Sequence, residues 1–242
     1  MGEASAAVLA ALLAGLGGLL VPATIARLPE PRAGAPVEPR LDGSDTAAKA
    51  PYAQLATTPR LAAWCALVAG LAGAAVGWRL GWSPVLPVWI FLCVAGVLLG
   101  FVDWRTRLLP TAVIGPSYAV VAVLLAAAAV ATRDWDSATR ALLGWAVTGG
   151  LFLLLWFVHP RGMGYGDVRL AGVLGLALGW LGWAELATGI YAAFCLGALV
   201  GGVLAVAKVV DRRHYPFGPF LLIGALIGVV WGPLLAVWYA GA

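Results

Sequence analysis

Residues 162–180 read GMGYGDVRLAGVLGLALGW. One carboxylate, Asp167, stands among the glycines Gly162, Gly164 and Gly166 and is flanked by Arg161 and Arg169. Beyond Arg169 the stretch is wholly apolar or glycine. An ionisable group at membrane depth is costly, so an acid on the rim of such a run marks either a solvated helix start or a function. Which of the two applies depends on what surrounds it.

The surrounding chain settles the solvent. It has 242 residues, of which 62% are hydrophobic and 11% charged, and a mean hydropathy of +0.95. Soluble domains carry about a quarter charged residues, so this surface calls for a bilayer. The fold expected is all-α: a single polytopic membrane bundle over residues 1–242 with about eight spans, each near the ~20 residues that cross the hydrocarbon. The spans are Ala6–Ala26, Leu61–Leu80, Val85–Val102, Thr111–Ala131, Ala141–Val158, Val168–Trp183, Leu186–Val209 and Phe217–Trp238. The first lacks a basic leader segment and is long enough to cross, so it reads as a span. Residues 27–60, rich in Pro, Ala and charge, read as a flexible cytoplasmic loop with little core.

Charge orients the bundle. Four connections on one side hold Arg27, Arg32, Arg40, Lys49 and Arg60; Arg105 and Arg107; Arg161 and Arg169; and Lys208, Arg212 and Arg213. The other side holds Arg79, Arg133 and Arg140. By the positive-inside rule the crowded side is cytoplasmic and both termini lie outside. Trp78, Trp82, Trp180, Trp183 and Trp238 fall at the outer helix ends, where an aromatic belt belongs. Gly73 and Gly77 make a GxxxG spacing suited to close helix packing. The +4 charge forms no basic stripe, which excludes nucleic acid as partner. Cys65, Cys93 and Cys195 form no CxxC pair and read as small apolar filler.

Of eleven acids, nine have a solvated explanation. Asp103, in GFVDWRTRLLP, and Asp167 do not: both lie at the cytoplasmic boundary of an apolar helix. Singly, Asp167 has the ordinary reading of a helix-start acid, and Asp103 that of an interfacial charge paired with Arg105 or Arg107. Together they suit hydrolysis of an amide by water. Two carboxylates at close range do not both ionise comfortably, so one holds a proton while the other is charged. The charged one takes a proton from water and the neutral one donates to the scissile carbonyl. Gly164 and Gly166 let backbone approach a peptide closely and adopt positive φ.

These residues resemble a known family. Gly164-Tyr165-Gly166-Asp167 fits the GxGD pattern of intramembrane aspartic proteases, and residues 162–180 look like the second catalytic motif of type IV prepilin peptidases. Asp103 to Pro110, DWRTRLLP, resembles the first motif of that family. Pro216–Phe220, PFGPF, resembles a further signature that includes Gly218, and Ile25–Pro29, IARLP, resembles the end of its first helix. The resemblance implies a cytoplasmic-membrane endopeptidase with Asp103 and Asp167 as catalytic pair. Gly164, Gly166, Arg169, Pro110, Pro216 and Gly218 would support the motifs or the substrate. It further implies a prepilin or pseudopilin substrate and no metal or other cofactor. Arg169 stands where the family has Lys, keeping the charge with another geometry, and Thr111 stands where Asp often follows the Leu-Pro. The cysteine-bearing cytoplasmic domain of long family members has no counterpart in residues 27–60, and no glycine loop supports S-adenosylmethionine binding, so peptidase activity alone is expected.

Other chemistries fit less well. His159 and His214 belong to no HExxH and stand in loops. No GxSxG elbow is present. A transporter using Asp103 and Asp167 as a proton or ion relay is the alternative from another class. It would favour inverted repeats, which the chain does not display, and acids near the midplane.

Overall fold

Each apolar run expected to cross the bilayer forms a helix over most of its described residues in the computed structural model, which describes residues 2–30, 51–159, 163–206 and 216–239. In chain order the helices are α1 (Gly2–Leu19), α2 (Val21–Ala26), α3 (Tyr52–Ala56), α4 (Leu61–Leu80), α5 (Leu86–Thr106), α6 (Thr111–Thr132), α7 (Trp135–Val158), α8 (Tyr165–Leu181), α9 (Trp183–Val206) and α10 (Gly218–Tyr239). Among the described residues there is no strand. Helix is what the solvent dictates, because hydrocarbon offers backbone N–H and C=O groups no partner. Six apolar stretches reach spanning length and hydropathy: Gly2–Ala26, Leu61–Leu80, Leu86–Thr106, Thr111–Thr132, Trp135–Val158 and Trp183–Val200. The two remaining expected spans are the shorter ones, α8 with 17 residues and the apolar stretch Gly218–Leu234 of α10.

The outer surface is what lipid requires. Leu12, Leu16, Val123, Val130, Leu142, Leu154 and Tyr191 are all exposed. In water a patch of this extent would drive association; against acyl chains it costs nothing. Hydrophobic attraction between helices vanishes for the same reason, and close packing replaces it. Three helix pairs approach through glycine. A methyl group on Gly73 would lie 2.5 Å from the Ala10 carbonyl oxygen, and one on Gly77 2.7 Å from that of Ala6. The GxxxG spacing therefore marks a real α1–α4 contact. Gly144 meets Gly179 between α7 and α8, and Gly189 meets Gly224 between α9 and α10. In all three pairs the contact positions rise along one helix as they fall along the other, so the partners run antiparallel.

Several helix ends differ from the sequence reading. α7 begins at Trp135 rather than Ala141, because Asp134 caps it: Oδ1 accepts the Ser137 N–H at 2.9 Å and Oδ2 the Ser137 hydroxyl at 2.6 Å. Arg140 is thereby helical and not a loop residue. It donates through Nε to the Gly179 carbonyl at 3.0 Å and through Nη2 to the Trp180 carbonyl at 2.9 Å, so a cation satisfies carbonyls at the end of α8. Trp180, expected in the interfacial belt, is buried at 8% exposure, whereas Trp78, Trp82 and Trp183 are exposed. The side chain of Trp238 lies outside the described part.

α5 continues past Val102 to Thr106, and α8 starts at Tyr165 rather than Val168. Each change draws a carboxylate into a helical turn. Within the 27–60 segment, residues 31–50 lie outside the described residues; at its end α3 buries Tyr52 and Leu55. Arg161, Lys208, Asp211, Arg212, Arg213 and His214 also lie outside the described residues.

Candidate active site

Asp103 occupies the last turn of α5 and is 4% exposed. The helix ends just beyond it. Arg107 takes a left-handed conformation, with φ 56°, and donates its N–H to the Asp103 carbonyl at 2.7 Å. The Thr106 hydroxyl donates back to Val102 at 2.7 Å and accepts the Leu108 N–H at 3.2 Å. Pro110 stands at the N-cap of α6 in extended conformation, as suits a residue without an N–H to donate. The chain thus reverses within four residues of the carboxylate and leaves Leu109 pointing inward, 9% exposed.

The Asp103 side chain reaches the start of α10. The Gly218 N–H donates to its Oδ2 at 3.0 Å across 115 positions of sequence. The first N–H groups of a helix have no intrahelical acceptor, and an acid satisfies them well. The start of α10 is itself held by rings: Phe217 packs tilted at 5.4 Å from Phe194 and 6.1 Å from Phe152, and lies 6.4 Å from Phe220. Pro216 leads the chain into this cluster and is half-buried.

Asp167 occupies the first turn of α8 and is 7% exposed. Its Oδ2 accepts the Gly164 N–H at 3.2 Å, and its own N–H donates to the Gly164 carbonyl at 3.0 Å. This reciprocal pair is a capping box built with backbone in place of a hydroxyl. The other oxygen, Oδ1, is buried and makes no hydrogen bond to the protein. The expectation of positive φ at Gly164 and Gly166 is corrected. Gly164 has φ −74°, and Gly81 is the one glycine whose positive φ lies in the left-handed region among the described residues. What glycine supplies here is close approach: a methyl group on Gly166 would lie 2.7 Å from Leu109 Cβ, and one on Gly164 3.3 Å from Asp167 Oδ2.

Leu109 joins the two halves. It touches the position a side chain would occupy at Gly166 on α8 and, at 3.4 Å, that at Gly218 on α10. Since Gly218 holds Asp103 and Gly166 precedes Asp167, the two carboxylates converge at one end of the bundle. Gly166→Ala is expected to force the first turn of α8 away from Leu109, because Leu109 Cβ cannot swing aside. The check is the rate of substrate turnover by purified protein, which should fall by about tenfold or more through misplacement of Asp167.

Arg169 does not face Asp167, since residues two apart on a helix point to different sides. Its guanidinium donates to the Thr111 hydroxyl and lies 5.4 Å from the Tyr165 ring centroid. His159 caps the end of α7 and is exposed. Among the described residues no three His, Cys, Asp or Glu side chains approach as metal ligands. Sequence reading missed the Phe152–Phe194–Phe217 cluster and the wedge formed by Leu109; only the Leu-Pro spacing pointed to the latter. Beside the site a cleft of about 430 Å³ runs between α4, α5 and α10. Its lining is mostly apolar and includes Gly100 and Phe101, three and two residues before Asp103 in α5, and Pro219, the residue after Gly218.

Comparison with known proteins bears on this geometry. The sequence profile of the type IV leader peptidase family (Peptidase_A24) matches residues 89–232, a range that holds both carboxylates, Leu109 and Gly218. A protein named prepilin leader peptidase/N-methyltransferase from Aeromonas salmonicida (strain A449) is 35% identical over 112 residues, covering 40% of this chain and 36% of its own length. Proteins of the same name from Pseudomonas putida and Stutzerimonas stutzeri are 33% identical over 183 residues and 27% identical over 175. Each match covers 72% of this chain, and 58% and 59% of those proteins. The chain thus spans between about a third and three fifths of the length of these curated relatives. No solved structure matches it.

Proposed function

This chain belongs to the type IV leader peptidase family, and from that premise we propose that it is an aspartic endopeptidase of the cytoplasmic membrane. It removes the basic leader from prepilins or pseudopilins on the cytoplasmic side. The observation that carries the reading is the meeting of two buried carboxylates, each held through Oδ2 by the backbone N–H of a glycine. Anchoring through Oδ2 fixes the orientation of each carboxyl group. Asp167 Oδ1, buried without a protein partner, is suited to water or to the substrate carbonyl.

Catalysis then follows general acid–base chemistry. One aspartate takes a proton from water as the oxygen attacks the scissile carbonyl. The other, protonated, donates to the carbonyl oxygen, and a proton is returned to the leaving amine. The apolar cleft beside Phe101 and Pro219 suits the hydrophobic stretch that follows a leader. Eight spans with both termini outside would place the site at the cytoplasmic face. The antiparallel α1–α4, α7–α8 and α9–α10 pairs and the crowding of Lys and Arg on one side support that topology. The ion-relay alternative loses its ground: both acids lie at helix ends, and the family is one of peptidases.

The test is cleavage of a prepilin by the purified protein in liposomes, read by mass with and without S-adenosylmethionine. Two fragments divided at the leader junction are expected. An intact substrate under all conditions would reject the peptidase reading, and a methylated product would add the second activity in the relatives' names.

A further inference from the structure

The contacts of Arg169 fall outside the chemistry just described. Arg169 stands two residues after Asp167 on α8. Its guanidinium donates to the hydroxyl of Thr111, the first residue of α6. Thr111 follows the short reversal that begins at Asp103. Each member of this contact therefore belongs to the segment of one carboxylate. A second link runs alongside it: the Tyr118 hydroxyl donates to the Arg169 carbonyl at 2.9 Å. Thr111 and Tyr118 are seven residues, about two turns, apart on one face of α6. The Tyr165 ring, 5.4 Å from the guanidinium, limits the directions in which Arg169 can point.

We propose that Thr111 and Arg169 form a positioning pair that fixes the first turn of α8 against the start of α6, and so sets the separation of Asp103 and Asp167. The inference rests on the peptidase reading for its consequence and on geometry for its substance. Arg169 is turned from Asp167, so it acts through the helix it holds and not by neutralising the carboxylate. Leu109 alone does not supply this restraint. A contact between apolar groups stops α8 from moving inward but does not stop it from rotating or sliding; a hydrogen bond with defined direction does both.

The experiment has two arms. In the first, nitroxide labels at Trp104→Cys and Met163→Cys, one on each carboxylate's segment, are placed in a background lacking Cys65, Cys93 and Cys195. Their distance distribution is measured in liposomes. Thr111→Val keeps the shape and removes the hydroxyl; Arg169→Gln removes the fork and charge. Both are expected to broaden the distribution, and the double variant to broaden it no further than either alone. In the second arm, kcat is expected to fall by roughly tenfold in each single variant with KM little changed, as for a misplaced catalytic group. Thr111→Asp combined with Arg169→Lys, an ion pair across the same junction, should restore both readouts. An unchanged distance distribution in the single variants overturns the proposal, and so does full kcat in either. Failure of the unmodified protein to cleave would count against the peptidase reading and leave the first arm to decide this one.

Discussion

Asp103→Asn and Asp167→Asn are each expected to lower the rate of leader cleavage by about 100- to 10,000-fold, the range that general acid–base groups supply, while the protein inserts as before. Asparagine is chosen because it separates chemistry from architecture. Its side-chain oxygen still accepts the N–H of Gly218 or Gly164, so the anchoring seen at 3.0 and 3.2 Å survives. What is lost is the ability to gain and release a proton. Because the two acids act on one proton inventory, the double variant should be little worse than either single one. Processing is read by gel mobility of a coexpressed prepilin, with membrane insertion followed in parallel. Full processing by either variant would remove the two-carboxylate mechanism, and strictly additive losses would show that the acids act in separate steps.

Much of the fold was legible because hydropathy is a property of each segment by itself. The apolar runs at Leu61–Leu80 and Thr111–Ala131 agree with α4 and α6 to within a residue. The ends were less legible where side chains decide them. Nothing in hydropathy says that Asp134 caps α7 and so brings Arg140 into a helix, from which it reaches the carbonyls of α8. Trp180 reads as a belt residue from its place in the chain, yet it packs inward. Their places at the rims of apolar runs brought Asp103 and Asp167 to notice, and the family motifs brought Gly164 and Gly218, but not the bonds that join them. Gly166 and Gly218 are glycines because of what lies opposite each in space, and no local spacing encodes that. Thr111 and Arg169, the two departures from the motif pattern, prove to be in contact. Their relation is invisible in the chain, where 58 positions separate them.

Gly218→Ala is expected to be nearly as damaging as loss of Asp103, although it adds a single methyl group. That methyl would lie 2.5 Å from Asp103 Oδ2 and 3.2 Å from Cγ. No carbon approaches a carboxylate so closely, so one of three things must move. The start of α10 is pinned by Phe217 against Phe152 and Phe194. Leu109 closes the other side at 3.4 Å. Asp103 is left to yield, and in yielding it gives up the Gly218 N–H. Overpacking of this kind costs about 1–3 kcal/mol of stability, which a bundle of this size tolerates, whereas displacing a catalytic group by about 1 Å costs on the order of 100-fold in rate. The variant should therefore extract and melt close to the unmodified protein while kcat falls steeply. Gly150→Ala is the control: its methyl would meet nothing within 4 Å, and turnover should be preserved. If Gly218→Ala keeps full activity, the carboxylate is not held in its working position by α10, and the geometry assigned to Asp103 is wrong.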